Sequence, residues 1–231
     1  NALNDSSNTD QRIQLLWILF RLNEIRNDEI LEATKHESWS VRSHTYRIVG
    51  AGEFANDFAA EVLDAGLQDS NLMVRRSAAM AAASYRSQPM TKSLLNAFRL
   101  APKFDKHLLH AINISIRDQL REKTHFLEVT KSVSKEDLRI VADVCLGIRT
   151  EFAGEFLARQ LAELKGLPAD KEAEYLSFAA RYALPEHLDA LSGLARVRYT
   201  DDIEFQEQLV RSILDGLRQR DRETPPVVTE W

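Results

Sequence analysis

Asp69-Ser70-Asn71-Leu72-Met73-Val74-Arg75 is the stretch that decides the fold: an acid in a turn, polar residues able to cap a helix, then an apolar helix opened by Val-Arg. Two earlier stretches echo it, Ser38-Trp39-Ser40-Val41-Arg42 and, more faintly, Asp10-Gln11-Arg12. The three arginines stand 30 and 33 residues apart, room for two helices and two short loops per unit. Self-similarity at such a period assigns the chain to a stack of helical hairpins, each burying its apolar face against its neighbours.

Outward from these markers, apolar residues recur at spacings of three and four, and no stretch shows sustained strand-like alternation. Residues 12–22 carry Ile13, Leu15, Leu16, Ile18, Leu19 and Leu22, a broad apolar face begun near Thr9 or Asp10. Amphipathic segments at 27–35, 54–67 and 89–100 each precede a marked helix and are expected to pair with it. Further helices are expected over 105–122, 124–131, 134–147 and 150–164, with Pro168 and Pro185 opening two more and a last one over 202–218. Arg139 lies 64 residues after Arg75, two units of 32, with His107 at the midpoint. The expected fold is all-α, a right-handed α-α superhelix of about six hairpins plus one unpaired N-terminal helix. Residues 1–9 read as a disordered or tag-derived lead, 10–219 as one solenoid domain, and 220–231, with Pro225 and Pro226, as a linker towards a further domain.

Composition agrees with helices and narrows the function. Eight glycines and six prolines in 231 residues, at 44% hydrophobic content, favour long helices with ample core. No run nears the roughly 20 apolar residues of a membrane span, and the polar opening does not read as a signal peptide. Up to Ser115 there are 13 basic and 13 acidic residues, and beyond it 17 and 22, so no basic stripe is evident and nucleic acid is a disfavoured partner. The single cysteine, Cys145, excludes an internal disulfide and a multi-cysteine zinc site.

Val41-Arg42, repeated as Val74-Arg75 behind Asp69, resembles the second-helix signature of HEAT repeats. The resemblance is strong over residues 10–100, weaker to 165, and beyond that rests on helical periodicity. It implies a ladder in which a turn Asp and the Arg at the next helix start link neighbouring repeats. Asp69 and Arg75 match that pattern, Arg42 matches with Glu37 as its acid, and Arg12 has Asp10 nearby. The runs Ala142-Asp143-Val144-Cys145-Leu146-Gly147-Ile148-Arg149-Thr150 and Phe178-Ala179-Ala180-Arg181-Tyr182 are similar to the HEAT-type region of large bacterial exported proteins. Those proteins combine a sugar-dehydrogenase-like propeller, helical repeats and a c-type cytochrome, which implies an extracytoplasmic location and an oxidoreductase parent. Their haem-attachment motif of two cysteines and a histidine is absent from this sequence, so the resemblance implies no cofactor for this segment.

Few residues ask for chemistry. Cys145 lies among Val141, Val144, Leu146 and Ile148, surroundings of an inert core thiol. His107, His110 and His125 can be drawn as a metal site but lack a thiolate or adjacent carboxylate, so no metal, cofactor or catalytic residue is assigned. Asp28 with Glu29, Glu172 with Glu174, and Asp201 with Asp202 fall near helix starts, where acids favour the helix dipole. Arg12, Arg42 and Arg75, with Asp69, read as a structural ladder rather than an anion-binding row. Trp39 is expected to pack across a repeat junction. Left over are Gln14, Trp17, His44, Arg47, Arg76, Ser77 and Met80, which the marked helices place along one strip, a candidate partner-binding face. The expected function is a non-catalytic scaffold contacting a protein partner or a neighbouring domain of its own chain. Alternatives are a nucleic-acid-binding repeat protein, which needs a basic concave surface, and a small-ligand repeat-type lyase, which needs a pocket of converging histidine and acid groups.

Overall fold

A computed structural model describes residues 8–161, 164 and 166–231, so most of the expected lead at 1–9 lies outside the described residues. Among the described residues there are fourteen α-helices, one 3-10 turn and no strand. The chain is all-α, and its helices pack on their neighbours in two compact units, Asn1–Ser132 and Val133–Trp231. The sequence reading draws no boundary at 132.

The first unit contains α1 (Thr9–Arg21), α2 (Asn27–Ala33), α3 (Trp39–Ala51), α4 (Asn56–Leu67), α5 (Leu72–Ala82), α6 (Gln88–Leu100), α7 (Lys106–Gln119) and α8 (Lys123–Thr130). The marked helices α1, α3, α5 and α7 pack on one another in chain order as an inner layer, while α4, α6 and α8 succeed one another in an outer layer that begins with α2. Each of α3, α5 and α7 is also paired with the helix before it, as expected, and α1 rests on α3.

Caps set these starts. Asn8 caps α1, one residue before the Thr9 or Asp10 expected, and Asn71, Ser87 and Asp105 cap α5, α6 and α7 by accepting first-turn N–H bonds. The period of the sequence reappears as hydrogen bonds between successive inner helices. Ser43 meets Ser77 at 2.7 Å, and Ser115 Oγ donates to the Ala79 carbonyl at 2.6 Å. Tyr85 Oη donates to the Val49 carbonyl at 2.7 Å, and Gln119 Nε2 to those of Ala82 and Tyr85 at 2.6 and 3.0 Å. These buried polar groups are thus satisfied one repeat away. The alanines Ala78, Ala79, Ala81 and Ala82 are all buried, which is how α5 fits between α3 and α7.

The second unit contains α9 (Lys135–Cys145), α10 (Glu151–Gln160), α11 (Ala169–Tyr182), the 3-10 turn Pro185–His187, α12 (Leu188–Arg198), α13 (Ile203–Gln219) and α14 (Pro226–Thr229). Here α11 is central, packed heavily against both α10 and α13. Both contacts use glycine. A Cβ on Gly154 would lie 2.5 Å from the Tyr182 carbonyl carbon, and one on Gly216 would lie 1.9 Å from the Arg181 oxygen. Arg220 then gathers the C-terminal end of α11, donating to the carbonyls of Tyr182 (2.8 Å), Ala183 (3.0 Å) and Arg181 (3.1 Å). A cation at a helix C-terminus satisfies both the orphan carbonyls and the dipole.

The 220–231 segment, expected to be a linker, is anchored on this unit. Val228 is buried, α14 packs on α12, and Trp231 Nε1 donates to Gln206 Oε1 at 3.0 Å.

Candidate functional site

The row of arginines resolves into two pairs and one exception. Arg42 and Asp69 make a two-pronged bond, Nε to Oδ2 at 2.7 Å and Nη2 to Oδ1 at 2.9 Å, with both side chains largely buried. The same guanidinium donates through Nη1 to the carbonyls of His36 and Glu37 at 2.8 and 2.9 Å. Burial alone would raise the Asp69 carboxyl, but hydrogen bonds from Arg42 and from the Asn71 N–H outweigh it and hold the pKa below its ordinary value. Arg12 pairs with Glu32 at 2.6 Å. The pairing therefore runs forward along the chain. Asp69 receives the arginine of the preceding marked helix rather than Arg75, which stands six residues after it, and Glu37 and Asp10 are not the acids used. Arg75 meets no acid, and its Nε is buried without a hydrogen-bond partner.

The candidate strip divides by position. At the α1–α3 step, Trp17 Nε1 donates to His44 Nδ1 at 3.0 Å, and the Trp17 ring stands edge-on to Phe20. Burial, then the charge of Arg47, push the His44 pKa down, in keeping with a neutral acceptor imidazole. Gln14 is exposed on α1. Further along, Arg47, Arg76, Ser77 and Met80 come together around a groove of about 340 Å³ floored by Gly50, Ala51 and Ala81. Ser77 contributes little surface, because it is buried against Ser43.

A second groove of about 430 Å³ adjoins the first, sharing Arg76 and Met80 and adding His107, His110, Ile114 and Asp118 from α7. Met80, 60% exposed, forms the ridge between them. His110 and Ile114 follow Arg76 and Met80 by 34 residues, the spacing that also separates Ser43 from Ser77. Extending the strip by that period finds the α7 half, which the sequence reading set aside as a histidine pair.

Over α2 to α5, charge is sorted between the layers. Helices α3 and α5 hold Arg42, Arg47, Arg75 and Arg76 and no acid, whereas α2 and α4 hold Asp28, Glu29, Glu32, Asp57, Glu61 and Asp64 and no lysine or arginine. With Arg42 neutralised by Asp69, and Asp118 paired with Arg117, the field over the grooves comes from Arg47 and Arg76. Even balance over the sequence thus conceals local segregation.

Other candidates are dispersed. Cys145 is fully buried, and burial pushes its thiol pKa far up, the reverse of an activated nucleophile. His125 is buried in the outer layer against Thr91 at 3.0 Å, whereas His107 and His110 are exposed at the groove. Trp39, expected at a repeat junction, is 46% exposed. Among the described residues one group of potential ligands lies within 4.8 Å, Glu155, Glu186 and His187, and Arg159 stands 3.8 Å from Glu155 as a counter-charge. No helix among the described residues is long and apolar enough to cross a membrane.

No family model and no curated protein matches the chain. Among solved structures, the crystal structure of an engineered protein from a structural-genomics consortium is similar over 94% of each chain, at 13% identity and a TM-score of 0.38. Neither kinship nor function is taken from that likeness.

Proposed function

We propose that this chain is a non-catalytic HEAT-like scaffold whose inner layer, α3, α5 and α7, receives a protein segment or a neighbouring domain of its parent protein. The observation that carries this reading is the paired groove on either side of Met80, set in a layer whose exposed charge is basic while the outer helices α2 and α4 are acidic. Methionine and arginine are enriched in interface cores, and a groove flanked by Arg47 and Arg76 selects an acidic segment with an apolar side chain for the ridge. The forward pairs Arg42–Asp69 and Arg12–Glu32 support the HEAT-like assignment.

The test is a photo-crosslinking amino acid at position 80, exposed to extract of the source organism, beside the same protein carrying Arg47→Glu and Arg76→Glu. Adducts with an acidic protein segment, lost in the charge-reversed variant, support the reading; identical adduct lists remove it. Nucleic acid is the competing partner for a basic layer. The two arginines and two histidines that line the grooves offer few phosphate contacts, so duplex DNA is expected to bind weakly, with a log–log salt slope no steeper than about −2 at roughly −0.9 per arginine contact.

A further inference from the structure

The exception in the arginine row is placed so as to form a site. Arg42 reaches Asp69, 27 residues on, and in the second unit Arg139 reaches the Gly166 carbonyl, also 27 residues on, at 3.5 Å. The position 27 residues after Arg75 is Pro102, which carries no side-chain acceptor. Arg75 accordingly forms no ion pair among the described residues, and its Nε is buried without a partner. Beside it lies a cavity of about 250 Å³ between α4, α5 and α6, with Gln68, Ser93 and Asn96 as polar lining and Leu67 and Leu100 as apolar walls. Asp64 also lines this cavity, but its carboxylate is engaged by Gln68 Nε2 at 3.0 Å and forms no ion pair with Arg75.

We infer that this cavity is a carboxylate-binding site, in which an external acid is held by the outer, Nη edge of the Arg75 guanidinium. A guanidinium presents its donors in planar pairs matched to a carboxylate; Arg42 offers Asp69 its Nε and Nη2, whereas Arg75, with Nε buried, has its two Nη nitrogens to offer. Ser93 and Asn96 supply further donors, and the apolar walls accept a short methylene stem of the glutamate type. The cavity shares no lining residue with the Met80 grooves, so the inference stands apart from the inner-layer reading.

The experiment follows the Arg75 Nε–Hε resonance of the whole chain during titration with N-acetylglutamate α-amide, its glutamine counterpart, inorganic phosphate, and an acidic tetrapeptide. Saturable movement with the glutamate compound but not with the glutamine one is expected. Tighter binding of the tetrapeptide identifies a polypeptide source, and equal binding a free small acid. Arg75→Gln should weaken binding at least tenfold, and Asp64→Asn should tighten it. Pro102→Asp, which restores an acid in the chain, should abolish binding and raise the denaturation midpoint. An unmoved Arg75 resonance in the folded wild type overturns the inference, as does phosphate binding as tightly as the carboxylate or a Pro102→Asp variant that still binds.

Discussion

The two units hold their helices together by different means. In the first, the same contacts recur one repeat apart: Ser43 with Ser77, Ser115 with Ala79, Tyr85 with Val49. No single residue there carries the assembly, and the ladder pairs Arg42–Asp69 and Arg12–Glu32 are one contribution among several. In the second, bonding converges on one place, where Arg220 and two glycines close around the end of α11. Distributed contacts tolerate the loss of one member. A hub does not.

The sharpest way to break this contrast is Arg220→Ala. It removes a largely buried guanidinium from three carbonyls of α11 and from the Gly216 carbonyl at 2.9 Å. The expected cost is about 3–5 kcal/mol, because several carbonyls each lose a charged donor worth about 1.5–3 kcal/mol, offset by the desolvation recovered with the guanidinium, and it should appear as early melting of the second unit by hydrogen exchange. Loss confined to a few tenths of a kcal/mol would show that the hub is ornamental. Next in size, Gly216→Ala forces a methyl against the Arg181 oxygen and should cost about 1–3 kcal/mol in the denaturant midpoint, because α13 must withdraw from α11. Substitution of Gly193, whose Cβ would meet nothing within 4 Å, is the matched control and should change stability far less.

The same contrast explains what could be read from the sequence. The first unit's architecture was legible because its chemistry is periodic: Val41-Arg42 and Val74-Arg75 announce both the helix starts and the unit length. The partners within that period were not, since a guanidinium can turn to an acid before or after it, and packing chose Asp69 for Arg42. The groove was half legible, for Met80 and Arg76 stand out on an alanine-rich helix whereas His110 and Ile114 become its continuation only after the 34-residue step is known. Arg220 had no local signal at all. Its carbonyl partners on α11 lie 37 to 39 residues away and are main-chain atoms, which a sequence does not distinguish from any others. Residues 220–231 read as a linker because Pro225 and Pro226 stand among charged residues, although Val228 and Trp231 tie the segment down.

Within the first unit the effects should be smaller than that of Arg220→Ala. Arg42→Ala strands a mostly buried Asp69 that retains only the Asn71 N–H, and a loss of about 1.5–3 kcal/mol is expected from urea denaturation. The Trp17–His44 bond adds a pH dependence. His44 accepts through Nδ1 and its pKa is depressed in the folded state, so the unfolded chain binds a proton more readily. This contribution is fully present above the unfolded value near 6.5 and is lost as pH falls through the lower folded value. Its size is about 1 kcal/mol, that of one hydrogen bond. His44→Gln should remove this part of the pH dependence, measured by Trp17 fluorescence during denaturation at pH 7.5 and pH 5. A stability that rises on acidification between those values would mean that His44 gains an acid partner instead.

The smallest effect should be at Arg75. Its helix position copies Arg42, and a ladder inferred from sequence alone gives the two substitutions equal weight. The structure separates them. Arg42 leaves behind a stranded carboxylate when it is removed, whereas Arg75 has no acid to strand and a buried Nε already without a partner. Deleting an unsatisfied donor recovers its desolvation penalty, which offsets the packing lost from the arginine stem. Arg75→Ala is therefore expected to shift stability by no more than about 0.5 kcal/mol in either direction, the range of an ordinary surface substitution. The measurement is a pair of urea curves, Arg42→Ala and Arg75→Ala, in buffer free of carboxylic acids. Equal destabilisation would show that Arg75 is held by its own chain, closing the cavity beside α6 to any external acid. A near-neutral Arg75→Ala beside a costly Arg42→Ala would establish that the ladder stops one rung short, with no acid of its own chain on the last cation.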